Sequence, residues 1–180
     1  MMARELLYFA YGSNMLTERL RGRVPSAHSG RVGHVEGYRL RWHKVGRLDG
    51  SGKCDIELTT DSGDRVYGVV FRIARVDKPG LDAAEGLDRG YEEKTVEVIT
   101  AAGPVSAFTY RATAIDQGLR PFSWYKGYVV AGAIEHRLPV AYVRHLQRVA
   151  AIEDPDRERA AEHAHLCDGR YAGRRRGRPA

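Results

Sequence analysis

Apolar residues fall in short alternating or continuous runs along the first two thirds of the chain and at helical spacing along the last third, so the period changes once. Residues 6–10 form an apolar run that predicts a strand. They meet Gly12, Ser13 and Asn14, after which Leu16 and Leu20 share a helical face, giving the order strand, tight loop, helix start. Asn14 is placed to cap that helix, and Glu18 lies in its first turns, where the dipole suits an acid. Tyr38, Leu40 and Trp42 alternate with Arg39 and Arg41, and Cys54, Ile56 and Leu58 repeat the pattern. Residues 61–64 are turn material and residues 66–73 a β-prone run, so these three segments read as a meander. Between the first two, residues 47–53, with Gly50 and Gly52, read as a loop.

Asp77 stands at an N-cap position ahead of a short helix that tolerates Pro79 in its first turn and ends at Gly86. Leu81, Ala84 and Glu85 share one side of it, so an acid appears beside an apolar face. Residues 95–99 and 105–111 predict two more strands joined near Gly103 and Pro104. From Ser123, Tyr125, Val129, Gly132, Ala133 and His136 follow helical spacing. Pro139 can open a second helix carrying Val143, Leu146 and Ala150, Asp154 and Pro155 break it, and residues 157–166 form a solvated last helix. Many strands with a few separated helices predict an α+β fold rather than regular βαβ units.

The length of 180 residues suits one domain with one core. We expect it to span residues 1–168, with a basic, solubilising tail over 169–180, where Arg170, Arg174, Arg175, Arg176 and Arg178 carry much of the net charge of +6. Elsewhere Lys and Arg interleave with Asp and Glu, and no basic stripe with aromatic platforms marks a specific nucleic-acid surface. Cys54 and Cys167 lie in unlike contexts and form no disulfide framework. The start of the chain shows no leader pattern, and no apolar run approaches the ~20 residues of a membrane span, so a cytoplasmic protein without a membrane partner is expected. The apolar faces of residues 123–150 suit either a monomer or a homodimer.

Candidate chemistry lies in two places. Tyr8, Phe9, Ala10, Tyr11, Gly12, Ser13 and Asn14 put glycine and small polar residues between a strand and a helix start, where free backbone N–H groups can hold a carboxylate or an oxyanion. No second glycine pattern or following Lys makes this a nucleotide phosphate loop. The other place is Glu85: a carboxyl group against an apolar face is poised for acid and base work near neutral pH. His163, His165 and Cys167 fall short of a four-ligand zinc site, and Ser13 does not sit in a Gly-x-Ser-x-Gly elbow.

The pair formed by Tyr11-Gly12-Ser13-Asn14 and the later Glu85-Gly86 resembles the γ-glutamylcyclotransferase family (AIG2-like or butirosin-pathway-like cyclotransferases), over about residues 6–153. The resemblance implies a small mixed β-barrel or strongly curved sheet with peripheral helices. It further implies catalysis by Glu85, a substrate-binding loop from Tyr8 to Asn14, and pocket tyrosines at Tyr91, Tyr110 and Tyr125. The implied reaction closes a γ-glutamyl amide to 5-oxoproline, releases an amine or amino acid, and uses no metal, nucleotide or redox cofactor. The alternative from another class is a non-catalytic protein holding a γ-glutamyl-like metabolite in the same pocket.

Overall fold

The computed structural model describes residues 5–171, the side chains of residues 29 and 165–171 excepted. Seven strands and five helices follow in the order β1 (Glu5–Ala10), α1 (Thr17–Arg21), β2 (His28–Glu36), β3 (Tyr38–Val45), β4 (Gly52–Leu58), β5 (Arg65–Ala74), α2 (Lys78–Glu85), β6 (Tyr91–Thr100), β7 (Gly103–Ala112), α3 (Ser123–Glu135), α4 (Val140–Arg148) and α5 (Arg157–Tyr171). Strands β1, β5, β2, β6 and β7 close a barrel in that order, and β3 and β4 form a separate two-stranded sheet. This is the small barrel with peripheral helices that the resemblance implied. The last closure is a parallel contact of β1 with β7, Tyr8 opposite Phe108, so no edge is left open between them.

The expected meander is only partly formed. Its first two segments pair as β3 and β4, but the third, β5, leaves them and runs antiparallel between β1 and β2. Strand β5 is apolar on both faces, with Val66, Val69, Val70, Phe71 and Ile73 buried, and such a strand belongs in the interior of a structure covered on both faces rather than in an outlying hairpin. Strand β2 carries no apolar alternation in the sequence because Gly30 and Gly33 occupy it. A Cβ at Gly33 would lie 2.6 Å from Val98 Cγ1 and 2.9 Å from the Ile99 carbonyl, so the missing side chain is what lets β6 close on β2.

The β3–β4 hairpin is anchored to the barrel by buried Asp55, whose Oδ1 accepts the Ala112 N–H at 2.6 Å while Oδ2 meets His43 Nε2 at 2.9 Å. Helix α3, buried along most of its length, packs against the 3-10 turn at Ser13–Met15 and against α4 and α5. Two expected caps are filled otherwise. Asn14 belongs to that 3-10 turn, and Leu16 takes the N-cap position of α1. Asp77 sits at the N-cap of α2 but makes no capping bond; its Oδ2 accepts the Ser26 N–H instead.

Helix α5 includes the first residues of the expected tail, whose remainder, from 172, lies outside the described residues, as do residues 1–4. Among the described residues no helix is long and apolar enough to cross a membrane.

Candidate active site

Strand β1 delivers Tyr8 to the inner wall of a recess, and the chain then leaves the barrel through Tyr11, Gly12, Ser13 and Asn14, which continue that wall. Helix α2 ends beside it: Gly86 takes the left-handed conformation at φ +77° and stops the helix, leaving Glu85 as its last residue, at the rim. Tyr91 at the start of β6, Tyr110 near the end of β7 and Tyr125 in α3 complete the enclosure with Cys54.

All the expected site residues except Phe9 and Ala10 are thus brought together. Phe9 faces the barrel interior over Gly68, where a Cβ would stand 2.7 Å from its ring, because successive strand residues point to opposite faces. Ala10 is buried in the ladder opposite Val69 and does not line the recess.

The tyrosines are held by a chain of hydrogen bonds. Tyr11 donates its hydroxyl to the Tyr110 carbonyl at 2.5 Å, and Tyr110 donates to Asp82 Oδ1 at 2.5 Å. Tyr91 donates to the Cys54 carbonyl at 2.5 Å, and the Cys54 N–H donates to the Tyr125 hydroxyl at 3.1 Å. One strand residue therefore fixes two rings, one through its carbonyl and one through its N–H. Burial raises the pKa of Tyr8, Tyr91, Tyr110 and Tyr125 far above the ordinary phenol value, so all four act as neutral groups. Burial likewise pushes the Cys54 thiol up to about 12, which removes it as a nucleophile at neutral pH.

Glu85 does not stand against an apolar face. Asn14 Nδ2 donates to its Oε1 at 2.8 Å and Arg23 Nη1 to the same oxygen at 2.6 Å. Asn14 Nδ2 also reaches the Tyr8 hydroxyl at 3.0 Å, and its Oδ1 accepts from Arg23 at 3.0 Å. The loop asparagine is thus the physical link between the two sequence motifs.

The recess, of about 20 Å³, has room for roughly one water-sized group. It borders a wider cleft of about 540 Å³, and Ser13, Glu85, Tyr91 and Tyr125 line both. Glu85 therefore stands at the junction.

An AIG2-like family model matches residues 65–146, the span from β5 through α2 and Glu85 into α4. The γ-glutamylcyclotransferase of Homo sapiens is 34% identical over 154 residues, covering 83% of this chain and 80% of that protein. That of Bos taurus is 33% identical over 147 residues, covering 79% and 78%. This chain belongs to the γ-glutamylcyclotransferase family. A solved structure of a γ-glutamyl cyclotransferase superposes with a TM-score of 0.81 at 28% identity, over 90% of this chain and 99% of that one. The crystal structure of an uncharacterised protein from Homo sapiens gives a TM-score of 0.77 at 31% identity, over 83% and 90%.

Within this family fold, sequence reasoning missed Arg23, Asp82, Lys44 and the Cys54 backbone. Asp82 carried a usable signal, lying three residues before Glu85 and so on its side of α2. Arg23 carried none, since it sits in the connection after α1. The histidines set aside earlier divide: His163 stacks on Trp124 at 4.0 Å and meets the Tyr128 hydroxyl through Nδ1 at 2.8 Å, while the side chains of His165 and Cys167 lie outside the described residues.

Proposed function

We propose that this chain closes the γ-glutamyl group of a small amide to 5-oxoproline and releases the amine, with Glu85 carrying the proton. The observation that supports this most directly is the position of the Glu85 carboxylate at the junction of recess and cleft, tied to the Tyr-Gly-Ser-Asn loop by Asn14. The substrate's α-amino nitrogen attacks its own δ-carbonyl carbon and forms the ring bond. Glu85 takes a proton from that nitrogen and returns it to the departing nitrogen as the old C–N bond breaks, so no water is consumed.

Nucleophile and electrophile belong to one molecule, so the gain comes from holding its folded conformer, an effect that can reach several powers of ten. Backbone N–H groups at Gly12, Ser13 and Asn14 offer donors to the developing oxyanion or to the substrate's α-carboxylate. Tyr8, Tyr91, Tyr110 and Tyr125, kept neutral by burial, shape the ring-forming side. Given the narrowness of the recess, the reacting carbonyl sits at its mouth and the leaving portion occupies the wider cleft. The substrate is a diffusible cytosolic metabolite, and the domain of residues 1–168 supplies the whole site.

The test is mass-spectrometric detection of 5-oxoproline and released amine from a panel of γ-glutamyl amino acids, γ-glutamylamines and glutathione. Release supports the reading. Tight binding of the panel without release would replace it with a metabolite-binding role for the same pocket.

A further inference from the structure

Six basic side chains line the outer cleft, Arg19, Arg23, Lys44, Arg47, Lys53 and Arg159, against two carboxylates, Asp49 and Glu85, an excess of four positive charges. Most of these cations are engaged. Arg23 is paired with Glu85, Lys53 with Asp49 at 2.7 Å and Arg159 with Asp154 at 2.6 Å, while Arg19 donates Nε to Ser13 Oγ and lies 4.6 Å over the Tyr128 ring. Lys44 and Arg47 form no ion pair among the described residues.

Lys44 is the unusual one. It is 4% exposed, is fixed by its backbone bridge to Ile115, and holds Nζ 4.5 Å from the Tyr91 ring centre, which compensates only part of a buried charge. Burial pulls its pKa below the ordinary lysine value, and Glu85 acts against that, so the ammonium feels the carboxylate at the junction. Arg47 is exposed at the cleft mouth and lies within electrostatic reach of Lys44.

Both side chains line the cleft and neither lines the recess. If the proposed reaction is correct, the γ-glutamyl end turns back on itself at the recess, so an anion meeting Lys44 and Arg47 belongs to the leaving portion. Two unpaired cations at successive depths suit two carboxylates. We infer that the leaving group is an acidic amino acid, its α-carboxylate read by Lys44 and its side-chain carboxylate by Arg47. This rests on the cyclotransferase reading and names the substrate class for it.

The deciding comparison is kcat/KM for γ-glutamyl-L-glutamate against γ-glutamyl-L-glutamine, which match in size and differ by one charge. The expected ratio is about tenfold or more at low ionic strength, shrinking as salt is raised. Arg47→Gln should bring the ratio close to one. Lys44→Met should lower kcat/KM for both dipeptides relative to γ-glutamylethylamine, which has no carboxylate on its leaving group, and Lys44→Arg should restore part of the difference. If Lys44→Met does not fold, the exposed Arg47→Gln decides alone. Turnover of both dipeptides at equal efficiency by the parent, or a ratio unchanged in Arg47→Gln, would overturn the inference and leave the cyclotransferase reading intact. Absence of 5-oxoproline from these and from neutral γ-glutamyl substrates would overturn both.

Discussion

Arg23 Nη1 lies 2.6 Å from Glu85 Oε1, and Asn14 bonds to both partners, so three residues from three separate segments form one closed triangle. All of the carboxylate's bonds in it end on a single oxygen, Oε1. One oxygen is thereby fixed, and the group keeps a second for proton transfer. The side chains are 25% and 16% exposed for Arg23 and Glu85, so the pair is screened by solvent and its value lies in orientation more than in stability.

Glu85→Gln keeps size and leaves an amide oxygen able to accept from Asn14 and Arg23, but it cannot take up the amine proton. Turnover should fall by about two powers of ten or more with the thermal midpoint nearly unchanged. 5-Oxoproline release measured beside a melting curve checks this, and near-parental activity would remove Glu85 from its role.

Arg23→Gln tests the other vertex. Without the guanidinium the carboxylate keeps only Asn14, and the loss should be about 10- to 100-fold, mostly in kcat. Because both side chains are partly exposed and screened by solvent, stability should change by no more than about 1 kcal/mol. Arg23→Lys, with one charged nitrogen instead of a fork, should recover part of the rate. A variant impaired only in KM would mean that Arg23 binds substrate and does not position Glu85.

The parts of this site that could be read from the sequence are those whose signal is local. The strand-to-loop junction at Tyr8–Asn14 and the stop at Gly86 each follow from neighbouring residue types, and both stand where expected. Asn14 was legible as a small polar residue at a helix start, but its partner was not: a capping role and a bond to Glu85, 71 residues away, look alike in one dimension. Strand β2 was hidden for a related reason, since Gly30 and Gly33 are chosen by neighbours that pack over them and leave no period of two. Tyr91 was found through its resemblance and not through its strand, for β6 begins at that residue and the charged Glu92, Glu93 and Lys94 mask its first half.

Gly132 is where α3 meets the loop. A Cβ there would stand 2.4 Å from the Leu16 nitrogen and 2.6 Å from the Met15 carbonyl carbon, both backbone atoms that cannot rotate away. Gly132→Ala should cost about 1–3 kcal/mol through overpacking, a drop of roughly 2–4 °C for each kcal/mol in a chain of this size. It should also lower activity beyond what the lost folded fraction explains, because the displaced turn carries Ser13 and Asn14. Melting and turnover measured on one preparation separate the two effects, and a fully active, fully stable variant would show that α3 does not seat the loop.

Tyr125→Phe removes the hydroxyl that accepts the buried Cys54 N–H. An unsatisfied buried donor costs about 1–3 kcal/mol, so a fall in stability is expected although the ring and its edge contacts with Trp42 and Trp124 remain. Hydrogen exchange at the Cys54 amide is the sharpest readout: it should quicken relative to the other β4 amides, and uniform protection along the strand would mean that another acceptor had taken over.

His136 makes stability depend on pH. Its Nε2 lies 3.1 Å from Thr17 Oγ1, its ring meets Phe71 edge-on at 5.4 Å, and a Cβ on Gly30 would approach its Cε1 to 2.8 Å. Burial holds its pKa below the ordinary value of 6.5, with Glu135, 3.8 Å away, offsetting only part of the shift. The folded value is thus the lower of the two, and between them the unfolded chain binds more protons. Stability is therefore highest above the unfolded pKa, falls as pH drops through about 6.5 toward the folded value, and levels off below that. The half-buried His163 is shifted in the same direction and adds to the slope. Melting midpoints taken from about pH 8 down to about pH 5 should decline, and His136→Gln should decline less steeply while starting from a lower midpoint, having lost the ring's packing. Parallel curves for parent and variant would place the pH dependence elsewhere in the chain.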